Sequence, residues 1–211
     1  MIRSALTILK RGAVMPEESH EEEVVMKRFA IVGIGLVVCV AGTVMTLAGG
    51  TDERRFGATG LVREVRQATR DFFDPNAAMA AGYGSAGSCV SGPQEGAMGI
   101  HFPNGTLVGD GELDAQHPEI LIYEQRGGRL RLLGVEFLVL AADWDAKQIG
   151  PPVLMGQHFQ YVSSPNRYGL PAFYELHVWA WRDNPHGMFV DWNPTVSCEE
   201  YTAEAAAHVG H

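Results

Sequence analysis

Five ionisable side chains fall inside apolar, strand-like runs of this sequence: His101, Glu136, His158, Glu175 and His177. Burying an imidazole or a carboxylate without a partner costs several kcal/mol, so such groups are paired, protonated or bound to something. Two or three imidazoles with one or two carboxylates form a ligand set suited to zinc, copper or iron. The same groups can act as an acid–base pair in a pocket. Glu175 and His177 share one face of one predicted strand, with Cα atoms about 7 Å apart from the strand rise. Trp179, Trp181 and Tyr174 lie beside them and are the aromatic groups expected around a small ligand. The spacing is not diagnostic, because H-x-x-x-H, H-E-x-x-H and C-x-x-C are all missing from the sequence. Three outcomes stay open: a divalent-metal or small-ligand pocket, a catalytic Glu/His pair in a hydrolase, lyase or isomerase, or side chains satisfied among themselves in a structural domain of the envelope.

The elements that must position these groups are strands. From Phe173 to Trp181 a two-residue period puts Phe173, Glu175, His177, Trp179 and Trp181 on one face. The other face carries Tyr174, Leu176, Val178, Ala180 and Arg182, and Asp183 to Gly187 reads as a turn into a returning arm, Met188 to Trp192. Leu130 to Leu140, which holds Glu136, forms a hairpin with Glu119 to Gln125 across Arg126-Gly127-Gly128. Met98 to Phe102 is a short strand carrying His101, and Val153 to Val162 is a weaker one carrying His158. Upstream, Leu61, Val65, Ala68 and Phe72 recur at helical spacing. Asp74-Pro75 then starts a second short helix that Gly82 ends, and a last helix is expected over Glu199 to Ala207. Helices followed by hairpin-linked strands predict an α+β fold, with N-terminal helices packed on a curved, mainly antiparallel sheet. A small closed β-barrel plugged by the helices is the alternative.

The chain has 211 residues and a net charge of -9. Five of its 16 basic and five of its 25 acidic residues precede Gly49, so the remainder keeps the same imbalance. No basic stripe exists to meet phosphates, which disfavours nucleic acid as a partner. Phe29 to Ala48 is uncharged and apolar, long enough to span a bilayer, and follows Lys27-Arg28. It reads either as a signal peptide, with Thr46-Leu47-Ala48 offering the small residues of a cleavage site, or as a retained membrane anchor. Both place the rest of the chain outside the cytoplasm. Residues 1–25 then read as a tail with an acidic EESHEEE stretch, or as upstream sequence of a chain whose translation starts at Met26. Residues 26–50 are the export segment, 51–198 one globular domain, and 199–211 a short helix and tail. Beyond Cys39, which lies in the apolar segment, Cys89 and Cys198 are the remaining cysteines. An even pair in an exported chain predicts a disulfide.

The stretches ATRDFFDPNAAMAAGY, CVSGPQEGAMGIHF, DGELDAQHPEILIYE, LLGVEF and YELHVWAWRDNPHGMFVDWNPTVSC together resemble a family of exported bacterial proteins without an assigned activity. The resemblance covers the chain from Ala68 onward. It implies export and a single domain, and it supplies neither a reaction nor catalytic residues.

Overall fold

The computed structural model describes residues 49–203, with side chains from residue 58. Helix α1 (Gly49–Thr69) runs into a 3-10 turn at Arg70–Phe73 and then into α2 (Pro75–Ala80). Asp74 caps α2 by accepting a hydrogen bond from Asn76 N at 3.0 Å, and Pro75 occupies the first turn, where its missing N–H costs nothing. Gly82, at φ +95°, carries the chain out of the helix. The strands follow: β1 (Cys89–Ser91), β2 (Ala97–Pro103), the short helix α3 (Gly105–Val108), β3 (Ile120–Arg126), β4 (Arg129–Leu140), helix α4 (Ala141–Asp145), β5 (Val153–Leu154), β6 (Gln157–His158), β7 (Gln160–Val162) and β8 (Phe173–Val178).

Six strands make one antiparallel sheet in the order β1-β2-β3-β4-β8-β7, curled into a half-barrel; β5 and β6 form a separate two-stranded ribbon. The expected α+β architecture on a curved sheet is therefore present. The closed barrel is not, since β1 and β7 remain as edges.

The ladder sorts side chains by the pleat. The pairs Ile100–Tyr123, Phe102–Leu121, Leu121–Val135, Val135–Val178 and Phe137–Leu176 put one apolar set on a single face. That face packs on Leu61, Val62, Val65 and Ala78 of the two helices and forms the main core. Each large aliphatic group buried there contributes about 1.5–3 kcal/mol, which is what holds the helices on the sheet. The opposite face carries the intervening residues: His101, Ile120, Ile122, Glu136, Leu138, Glu175 and His177. Loops cover this second face, from the segment after β7 (Tyr168, Leu170) and from the C-terminal segment (Val196, Cys198). A disulfide joins Cys89 of β1 to Cys198, 109 residues on, and ties that segment to the sheet edge.

Several local expectations need correction. Met188 to Trp192 returns along the end of β8 without forming a strand. It is held instead by Trp179 N to Met188 O at 3.0 Å and by Trp179 Nε1 to Val190 O at 2.6 Å. The single strand expected over Val153 to Val162 is broken at Met155-Gly156, whose φ values of 47° and 82° make the tight turn between β5 and β6. Residues 199–202 are not helical, Ala203 is, and residues 204–207 of that expected helix lie outside the described residues. The apolar run Phe29 to Ala48 and Cys39 also lie outside them, and among the described residues no helix is long and apolar enough to cross a membrane.

Candidate functional site

Glu136 is the centre of the site. It lies mid-strand in β4, opposite Ile120 of β3 on one side and His177 of β8 on the other. His101 approaches from β2, paired with Ile122, so its ring reaches across β3. His101 Nε2 lies 3.1 Å from Glu136 Oε2, and His177 Nε2 lies 3.8 Å from the same oxygen. All three residues are buried, His177 completely. Glu175, two residues before His177 and opposite Leu138, is a second buried carboxylate that feels the charge of Glu136. From the C-terminal segment Asp191 places Oδ1 3.5 Å from His177 Nδ1, and Gln160 Nε2 donates to that oxygen at 2.7 Å.

This polar group sits between two apolar clusters on the same face of the sheet. Ile120, Leu138 and Phe173 form one cluster, covered by Tyr168 and Leu170; Ala97, Ile122, Leu133, Trp179 and Val196 form the other. The Trp179 ring stacks beside His177 with centroids 6.3 Å apart. Such walls exclude water, so the charges act on one another with little screening.

Their electrostatics follow from that exclusion. Burial alone would raise Glu136, but the His177 and His101 rings beside it prevail and hold it below the usual carboxylate range. Glu175 is pushed up to about 8, first by burial and then by the neighbouring Glu136 charge. Burial opposes a proton on His177, yet Glu136 and the other carboxylates around it raise the imidazole to about 9. Two adjacent carboxylates are thus driven apart, one ionised and one protonated at neutral pH.

The hydrogen-bond inventory is incomplete here and nearly complete elsewhere. Both ring nitrogens of His177, Nδ1 of His101 and Oε2 of Glu175 are buried without a hydrogen-bond partner. Only the Tyr201 hydroxyl shares that condition among the described residues, so four of the five unsatisfied buried side-chain atoms belong to one cluster. Ligand atoms of His101, Glu136 and His177 all lie within 4.8 Å of one another, as do those of Glu175, His177 and Asp191. Nitrogen and oxygen ligands at 2.0–2.1 Å from a tetrahedral ion are about 3.4 Å apart. The contacts to Glu136 Oε2 at 3.1 and 3.8 Å bracket that edge. Asp191 would then orient His177 through Nδ1, the carboxylate–histidine arrangement that fixes a metal-binding ring.

A cavity of about 380 Å³ opens on this cluster. Its floor is His101 and Glu136, its walls are Val108, Ile120, Leu138, Leu170 and Phe173, and Arg167 stands at its margin. Tyr168 also lines it; burial, with Glu136 and Glu175 adding to the effect, keeps the phenol protonated well above its usual range. Glu175 and His177 do not line the cavity and stand behind Glu136.

Four of the five ionisable residues singled out from sequence converge, and His158 does not. It is exposed on the separate β5–β6 ribbon, with no place in the cluster. The aromatic trio divides as well. Trp179 packs beside His177, whereas Tyr174 points to the helix face, where its hydroxyl donates to Asp145 Oδ1 at 3.1 Å. Trp181 also reaches the helix side and donates from Nε1 to the Thr69 hydroxyl at 3.0 Å. None of the three lines the cavity. Sequence reasoning passed over Asp191, Tyr168 and Glu119. Asp191 and Tyr168 come from irregular segments with no periodicity to reveal their direction. Glu119 is a buried carboxylate just before β3, pushed up to about 8 by burial, and it accepts from Leu138 N at 3.0 Å. Its position in E-I-L-I-Y, at the head of an apolar run, was the available signal.

Comparison with known proteins finds no match: no family model fits the sequence, and no curated protein or solved structure is significantly similar to it.

Proposed function

We propose that this is an exported binding protein for a divalent transition metal, with His101, Glu136 and His177 as ligands and an open coordination position facing the cavity. The observation that carries the reading is the fully buried His177 ring, whose two nitrogens have no hydrogen-bond partner while Nε2 stands 3.8 Å from Glu136 Oε2. This buried imidazole meets carboxylates at 3.8 and 3.5 Å without a hydrogen bond to either, and an ion at Nε2 would satisfy it and Glu136 together. Three protein ligands with a fourth position open is the pattern of sites where a metal meets a second ligand. Zinc or iron(II) suits two imidazoles and one carboxylate. The Cys89–Cys198 disulfide and the apolar Phe29 to Ala48 segment support a location outside the cytoplasm.

The test is metal analysis of the protein isolated from an oxidising compartment, followed by cobalt(II) titration of the metal-free form. One equivalent is expected to bind to the wild type, and none tightly to His177→Ala or Glu136→Gln. Wild type that takes up no stoichiometric ion refutes the reading. The opposed protonation preferences of Glu136 and Glu175 favour a second reading, an acid–base pair acting without metal. It ranks lower because Glu175, its proposed acid, does not line the cavity a substrate would enter. A pH–rate profile on any activity found would test it, with loss of the alkaline limb in Glu175→Gln expected.

A further inference from the structure

We propose that the cavity beside His101 and Glu136 takes a small monocarboxylate with a hydrocarbon body, whose carboxylate oxygen occupies the open position on the bound ion. The proposal rests on the metal reading and adds the chemical class of the second ligand.

Size comes first. The cavity measures about 380 Å³, within the range that holds small molecules and too large for a lone water. Its walls are aliphatic and aromatic: Val108, Ile120, Leu138, Leu170 and Phe173. Such walls reward an apolar body and penalise a polar one that finds no partner.

Charge selects the head group. A divalent ion held by two neutral imidazoles and the Glu136 carboxylate keeps one positive charge on the cavity side. Glu136 is the sole acidic residue lining the cavity, and neither Glu175 nor Asp191 reaches it. In a low-dielectric pocket that remaining charge favours an anion over a neutral donor far more than it would in water. The margin repeats the preference: Arg167 is its cation, and the guanidinium is set over the Trp192 ring at 5.7 Å. An exposed cation lining the cavity stands out on a chain of net charge -9, because the general field repels anions and this position attracts them locally. An alcohol would fill the walls equally well and leave the charge uncompensated; an amine would add to it.

The experiment uses the full-length chain with its disulfide intact, loaded with cobalt(II), whose visible spectrum reports changes in coordination. Benzoate and butyrate are titrated against benzyl alcohol and benzylamine. The carboxylates are expected to change the cobalt spectrum and to bind at least about tenfold more tightly than the alcohol. Leu170→Trp, which fills the cavity from the covering loop, is expected to keep cobalt uptake and lose the carboxylate response. Arg167→Gln is expected to weaken carboxylates by about two- to fivefold, as an exposed charge does, and to leave cobalt uptake unchanged. Equal binding of carboxylate and alcohol, or equal carboxylate binding by the metal-free protein, overturns the proposal while leaving the metal site standing. Failure of the wild type to take up cobalt removes both.

Discussion

On the proposed reading, metal and proton compete for the same atom of His177, so metal affinity is expected to depend strongly on pH. In the metal-free protein His177 is raised to about 9 by the carboxylates around it, so at pH 7 it carries a proton that an ion at Nε2 must displace. Removing a proton two units below its pKa costs roughly 2.7 kcal/mol, a factor of about 100 in affinity. Binding at pH 7 is therefore about 100-fold weaker than above pH 9. Between those values log K rises by about one per pH unit. If the ion also displaces the proton of Glu175, raised to about 8, into solvent, the slope approaches two below pH 8. The carboxylates that set this balance are Glu136, Glu175 and Asp191, and the His101 ring stands 5.9 Å from the His177 ring. Calorimetric titration of zinc at pH 7, in buffers of contrasting ionisation enthalpy, counts the released protons directly. One to two protons per ion are expected. Zero protons, with an affinity flat from pH 6.5 to 9, would mean that the ion does not bind at His177.

The same shifts govern stability without metal. His177 and Glu175 hold their protons more tightly when folded, so that contribution is complete below their ordinary values of 6.5 and 4.5. It is lost as pH rises through about 8 to 9, and a chemical-denaturation series should show the metal-free protein weakening by up to about 4–5 kcal/mol from pH 6.5 to 9. Stoichiometric zinc should abolish that loss. Cys198→Ser frees the C-terminal segment and, by loop-closure entropy over the 109-residue separation, should lower stability by up to about 4–5 kcal/mol in urea unfolding; an unchanged midpoint would show that the segment docks unaided. Gly134→Ala would drive a Cβ into the Val178 carbonyl and should cost more than about 2 kcal/mol by the same assay. Replacing His101, Glu136 and His177 together by leucine should leave the melting temperature equal or higher while abolishing metal uptake.

Much of the sheet was legible because alternation is the direct imprint of the pleat. His101 and Glu136 were placed correctly in their strands, and Glu175 with His177 on one face, from that period alone. What alternation cannot show is where a strand stops obeying it. After Val178 the backbone turns: Ala180 N bonds Val178 O at 2.8 Å and Trp181 N bonds Leu133 O at 2.8 Å. This close crossing is feasible because residue 134 has no side chain. Trp181 consequently moves to the helix face, although its parity with Trp179 predicts the opposite. His158 was misplaced for a related reason: Met155-Gly156 makes a turn inside what composition reads as one strand. The partner of His177 was the least legible feature. Asp191 is brought to it by tertiary contacts of an irregular segment, anchored by the Ala97–Asn193 bridge and the buried Asn193 side chain.

This domain gathers its unsatisfied buried polar atoms in one place. Elsewhere among the described residues, the Tyr201 hydroxyl excepted, buried polar side-chain atoms have hydrogen-bond partners. Glu124 pairs with Arg182 and accepts from Ser197 N, Asn104 caps α3 and bonds Ala81 O, and Thr69 is bonded to Val65 O and Trp181. The same sheet that satisfies those groups brings two imidazoles and two carboxylates together from β2, β4 and β8 and leaves four of their atoms open. An apolar face of similar volume would be at least as stable, and it would pack continuously from Phe173 to Trp179. Stability therefore gives no reason for ionisable groups at these positions. Binding does, because an ion among His101, Glu136 and His177 would take up the open Nε2 of His177, and the neighbouring cavity would give that ion access to a second molecule.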